Sequence, residues 1–111
     1  MQVKAESADR RLRLRLYGEL DHHAARQLMK SIADELEYAL PLEVILDFSG
    51  VTFMDSSGIG VLLNRYKQMK AGHTSFYGAC PQVMRVLKVA GILGLMHQYE
   101  SKEEAIYSRE V

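Results

Sequence analysis

One cysteine, Cys80, stands in a chain of 111 residues. It excludes an internal disulfide and any multi-cysteine metal site, and a reducing compartment is the simpler setting. No apolar run approaches the ~18 residues that a membrane span needs. The opening stretch MQVKAESADRRLRLRLYGEL also lacks the apolar core of a signal peptide. A cytoplasmic protein is therefore expected. Net charge is missing too, because 14 Lys and Arg balance 14 Asp and Glu. That balance argues against direct nucleic-acid binding and against bulk attraction to membranes. It leaves room for a local charged surface on a protein partner. Linkers, repeats and low-complexity segments are absent, and the length suits one domain over residues 1–111.

What is present alternates between two periods. RLRLRLYG places Leu12, Leu14 and Leu16 on one side of a strand and Arg11, Arg13 and Arg15 on the other. This reads as a half-buried strand with one solvated face, with a docking surface as the second reading. GELDHHAARQLMKSIADELEYAL predicts a helix capped by Asp21. Its buried stripe is Ala25, Leu28, Met29, Ile32, Leu36 and Ala39, and Pro41 stops it. LEVILDFSG is apolar on both faces at Val44, Ile45, Leu46 and Phe48, the pattern of a covered central strand.

Further along, Ile59, Leu62, Leu63, Tyr66 and Met69 recur at helical spacing, with Lys67 and Lys70 near the C-terminal end and Gly72 as the stop. HTSFYGA reads as a strand. PQVMRVLKVAG reads as a helix with Pro81 in its first turn, a stripe of Val83, Val86, Leu87 and Ala90, and Gly91 as its stop. LMHQYE is a short last strand, and Ser101 with Glu104 forms a capping box for a terminal helix. The sum is an α/β fold: a small mixed, mostly parallel sheet, an antiparallel strand near the N-terminus and about four helices.

The stretch FMDSSGIGV, residues 53–61, carries the functional question. In its plainest reading Ser56 or Ser57 caps a helix, which is worth about 1 kcal/mol. Gly58 and Gly60 in the first turn would each cost about 1 kcal/mol relative to alanine, so a compensating role is expected, such as close approach of another molecule. A serine nucleophile would need partners from Asp21, Asp47, Asp55, His22, His23 or His97, yet the spacing G-x-S-x-G is absent. A phosphate cradle fails for want of G-x-x-x-x-G-K-[ST], so no nucleotide or other cofactor is expected. His22 and His23 point about 100° apart on a helix and do not suit one metal ion.

The fourth reading makes the serine a substrate. A phosphate there would meet helix N–H groups and the dipole, sit beside Asp55, and put about −2 charges on a surface of small neutral groups. A partner packed on that surface would be expelled.

GELDHH together with FMDSSGIGVLLNRYKQM resembles the anti-sigma factor antagonists of the STAS domain family, most closely the sporulation branch acting on the anti-sigma-F factor. The likeness spans nearly the whole chain, is most specific at residues 53–69 and 18–23, and is weak after Gly91. It implies that Ser56 is the phosphorylated residue, that the kinase is the anti-sigma factor itself, and that a separate serine phosphatase resets the switch. It also implies a partner surface of Asp21, Asp55, Ser56, Ser57, Gly58 and Ile59, and no catalytic activity. Stress-pathway antagonists share the D-S-S-G pattern and form the alternative within the family.

Overall fold

The structure, a computed structural model, describes residues 1–38, 43–60 and 73–107. Five strands lie side by side in chain order: β1 (Gln2–Ala8), β2 (Arg11–Leu20), β3 (Glu43–Met54), β4 (His73–Tyr77) and β5 (His97–Gln98). β1 runs antiparallel to β2, and every other neighbouring pair is parallel. Helix α1 (His22–Tyr38) joins β2 to β3, and α3 (Pro81–Val89) leads from β4 towards β5. Helix α2 opens at residues 56–60, and α4 (Lys102–Tyr107) closes the described chain. The expected helix beyond residue 60, its stop at Gly72, the Leu36 side chain, Ala39 and Pro41 lie outside the described residues.

The antiparallel strand is β1, whose turn into β2 is made by Asp9 and Arg10, both at positive φ (53° and 61°). Two such residues flanked by the pair Ala8 and Arg11 form the two-residue turn that matches strand twist. Each parallel step then moves the same way across the sheet, so right-handed crossovers bring α1 and α3 onto one face. There Leu12, Leu14 and Leu16 meet Val44, Leu46, Phe48 and Phe76 beneath Ala24, Ala25, Leu28 and Ile32 of α1 and Val83 and Leu87 of α3. Met29 is not in that stripe; it is 41% exposed, and Ala24 takes the inward place. Ala90 is exposed too, because it is the C-cap of α3 and Gly91 turns the chain away at φ 76°. The terminal helix starts as expected, with the Glu104 N–H donating to Ser101 Oγ at 3.1 Å. The last strand is shorter than LMHQYE: Leu95 and Met96 precede it and finish a 3₁₀ turn.

The opposite face corrects the reading of the arginines as solvated. Arg11, Arg13 and Arg15 are only half-exposed, because acids from neighbouring strands face them. The register sets Arg11 beside Glu43 and Arg15 beside Asp47, and both acids are buried. Arg11 Nε donates to Glu43 Oε1 at 2.8 Å, and Glu43 Oε2 accepts from Tyr99 OH at 2.7 Å and Ser75 Oγ at 2.5 Å. Asp47 Oδ2 accepts from Tyr77 OH at 2.8 Å, and Asp47 Oδ1 from the Ser49 N–H at 2.9 Å. Glu6 of β1 pairs with Arg13 and Arg15. Ala105 of α4 packs here with Ile45, Tyr77 and Tyr99.

These contacts make stability depend on pH at both extremes. Burial, opposed by hydrogen bonds from Ser75, Tyr99 and Arg11, leaves Glu43 below its ordinary 4.5. Burial opposed by the Ser49 and Tyr77 bonds leaves Asp47 below 3.8. Their stabilisation is present above those values and is lost as pH falls through the lower folded pKa values. Burial, and then the bond to Asp47, push the Tyr77 phenol from 10.0 up to about 12. The fold thus favours the neutral phenol, and this contribution is full below pH 10.0 and gone above about 12. Urea midpoints measured from pH 9 to 12 fall in this window, and Tyr77→Phe removes that component of the fall. An unchanged alkaline profile in Tyr77→Phe contradicts the assignment.

Candidate functional site

β2 and β3 end level with each other. Glu19 pairs with Phe53 and Leu20 with Met54, and the Asp55 N–H donates to the Leu20 carbonyl at 3.4 Å. Each strand is followed at once by an aspartate that starts a helix. Asp21 Oδ1 accepts from the Ala24 N–H at 2.9 Å, which makes Asp21 the cap of α1, as expected. Asp55 does the same for α2: its Oδ1 accepts from the N–H groups of Ser57 at 2.8 Å and Gly58 at 3.4 Å. The cap of α2 is therefore Asp55 and neither serine. Ser56 becomes the first residue of the helix and Ser57 the second. A phosphate on Ser56 would find the Ser57 and Gly58 N–H groups already engaged by Asp55, rather than open as expected.

This turn stands at the carboxyl end of two adjacent parallel strands, where open α/β sheets place their binding sites. Ser56 is exposed, and Asp21, Asp55 and Ser57 are half-exposed. His22 and His23 are exposed on the first turn of α1. His97 lies on β5, two strands away from β3. Asp47 is committed to Ser49 and Tyr77.

The two glycines differ. Gly60 is exposed, and a Cβ there would meet no atom of the described residues within 4 Å. Gly58 is buried, and its Cβ would lie 2.8 Å from Met54 Cγ and 2.9 Å from Leu20 Cγ. Leu20 and Met54 are fully buried. Gly58 thus lets α2 settle on its own sheet, and Ile59, 9% exposed, enters the core beside it. The close approach inferred for both glycines is internal at Gly58, while at Gly60 no described residue takes up the space. Gly58→Val is expected to cost about 1–3 kcal/mol by overpacking. Gly60→Ala is expected to gain up to about 1 kcal/mol from helix propensity. Denaturant midpoints of the two proteins check both signs.

Gln82, which sequence reasoning did not single out, also reaches this turn. From α3 its Oε1 accepts from the Met54 N–H at 3.0 Å and its Nε2 donates to the Met54 carbonyl at 2.9 Å. It lies 28 residues from Met54 in the chain, so no local pattern announces the pair.

Among the described residues no helix is long and apolar enough to cross a membrane. The STAS domain family matches residues 2–105. An anti-sigma F factor antagonist of Paenibacillus polymyxa is 32% identical over 113 residues, covering 100% of this chain and 97% of that protein. An anti-sigma F factor antagonist of Lysinibacillus sphaericus is 35% identical over 95 residues, covering 84% and 80%. Among solved structures, the anti-sigma factor antagonist SpoIIAA in its unphosphorylated form superposes with a TM-score of 0.81 at 33% identity, over 95% of this chain and 93% of that one. Sequence relatives above 30% identity, a shared fold and a family match over nearly the whole chain agree: the protein belongs to the STAS domain family.

Proposed function

We propose that this protein is an anti-sigma factor antagonist that works by partner switching in the cytoplasm. Unphosphorylated, it binds an anti-sigma factor that is itself a serine kinase, and the sigma factor held by that kinase is released. The kinase then transfers a phosphoryl group to Ser56. The Ser56 hydroxyl oxygen bonds to the γ-phosphorus of ATP, ADP leaves, and the hydroxyl proton passes to a base on the kinase. The phosphorylated protein lets go, and a serine phosphatase restores the hydroxyl. The sigma-F relatives favour a role in sporulation transcription over a stress pathway.

One observation carries the reading. Ser56 stands exposed, one residue past the cap, on a turn that neither needs its hydroxyl as a cap nor buries it. The turn is shaped by Asp55, Gly58 and Ile59, which leaves the serine available to a second protein. In a chain related to anti-sigma F factor antagonists, such a hydroxyl fits a phosphoacceptor better than a nucleophile. Among the described residues no histidine hydrogen-bonds Ser56; His97 sits two strands away on β5, and Asp47 is engaged by Ser49 and Tyr77.

The test is incubation with the candidate kinase and ATP, followed by mapping of the modified residue by mass spectrometry. Phosphate is expected on Ser56, and Ser56→Ala is expected to take up none while staying folded. Phosphate on Ser57 would overturn the assignment. A fluorophosphonate probe is expected to label neither serine, and stoichiometric labelling would restore the hydrolase reading.

A further inference from the structure

We infer that Gln82 is a positioning residue for the phosphoacceptor turn, taking at Met54 the place of a strand neighbour that the described residues do not supply there. The inference rests on the assignment of Ser56 as the acceptor.

β4 pairs with β3 only from Glu43 to Asp47. β3 continues to Met54, and beyond Asp47 its described pairing is with β2 on one side. At Met54 the opposite side is met by Gln82, whose amide bonds both the N–H and the carbonyl of that one residue. The paired donation and acceptance reproduce what a neighbouring strand would supply. The Met54 carbonyl belongs to the peptide that leads into Asp55. Fixing that carbonyl fixes the peptide plane from which the Asp55 cap and then Ser56 project. The clamp stands on firm ground, since Val83, the next residue of α3, is fully buried in the core and Leu87 follows one turn on. Pro81 pre-sets the backbone angle at the helix start.

The glutamine amide carries a donor and an acceptor side by side on one planar head, and it keeps both at every pH. Glutamate in its place would keep an acceptor for the Met54 N–H and aim a second oxygen at the Met54 carbonyl. Methionine would keep length and volume and remove both bonds. The two substitutions therefore separate loss of the clamp from loss of packing.

The experiment has two arms on the full chain. In the first, amide hydrogen exchange at Met54 and at Ser57–Gly58 is followed by NMR in the parent, Gln82→Met and Gln82→Glu proteins. Exchange at Met54 is expected to rise about tenfold or more in both variants, with the amides of β2 unchanged. In the second, steady-state phosphorylation by the kinase is measured. The fall is expected in kcat, by about tenfold or more, with KM and the mapped residue little changed, since a misplaced acceptor slows transfer after binding. Unchanged exchange at Met54 would overturn the clamp. Faster exchange with unchanged kcat would overturn the positioning role and leave Gln82 a support of the fold only. A parent protein that takes no phosphate on Ser56 would overturn the acceptor assignment itself, and it is read in the same assay before any variant is compared.

Discussion

A Ser56→Asp protein is expected to bind its anti-sigma partner at least about a hundredfold more weakly than the parent while melting close to it. The two halves of this result have separate causes. The fold is indifferent because the Ser56 side chain is exposed and Asp55, not Ser56, caps α2. An acid in the first turn of a helix is also favoured by the dipole, by about 0.3–1 kcal/mol, which offsets repulsion from Asp55. Binding is sensitive because the partner must dry this turn. A charge left desolvated and unmatched costs several kcal/mol, and about 3 kcal/mol is a hundredfold in affinity. Asp21 and Asp55 already put two carboxylates at this edge of the sheet, so each added negative charge deepens one field. Calorimetric titration and thermal melting of the variant decide the matter. Backbone NMR shifts spread well beyond residues 54–60 and the neighbouring Asp21 would show a conformational switch in place of a local charge gate.

Gly58→Val would lose binding by another route. Its bulk falls on Leu20 and Met54 inside the protein and not on the partner. A comparison of the two variants therefore distinguishes a lost surface from a lost scaffold. Only Ser56→Asp should separate affinity from stability.

The features legible in the sequence are those decided within a few residues. Asp21 caps α1, Pro81 and Gly91 bound α3, and Ser101 with Glu104 starts α4, each because the groups involved are neighbours in the chain. The sequence alone assigns the cap to Ser56 or Ser57, and the true cap, Asp55, was not legible, since aspartate and serine both cap well. It is decided by β2: pairing of Leu20 with Met54 ends β3 at Met54 and leaves Asp55 at the boundary. Gly58 shares this dependence, because its neighbours Leu20 and Met54 come from two strand ends. The buried acids Glu43 and Asp47 needed the register too. Their spacing of four matches that of Arg11 and Arg15, a signal that has meaning only once the two strands are set side by side.

Glu43→Ala is expected to be the most damaging single change on the face away from Ser56. Glu43 is 1% exposed and joins three parts of the chain: Arg11 of β2, Ser75 of β4 and Tyr99 after β5. Without it, the Ser75 and Tyr99 hydroxyls lose a charged acceptor in a buried place, and Arg11 loses its counter-ion. Breaking one side of a buried pair in this way costs about 3–5 kcal/mol, a large part of the roughly 5–15 kcal/mol that holds a domain of this kind. Arg11 also donates to the carbonyls of Ala105 and, at 3.1 Å, Ile106, so an unmoored guanidinium takes the end of α4 with it. Glu43→Gln should lose less, because it keeps an acceptor and the volume. The pairing of Glu43→Leu with Arg11→Met should recover much of the loss, since an apolar pair leaves no charge buried alone. Urea unfolding of the four proteins gives the order, and hydrogen exchange at Ala105 reports whether α4 loosens first. A loss under about 1 kcal/mol in Glu43→Ala would mean that water or a shifted side chain replaces the carboxylate, and that α4 is held by the packing of Ala105 alone.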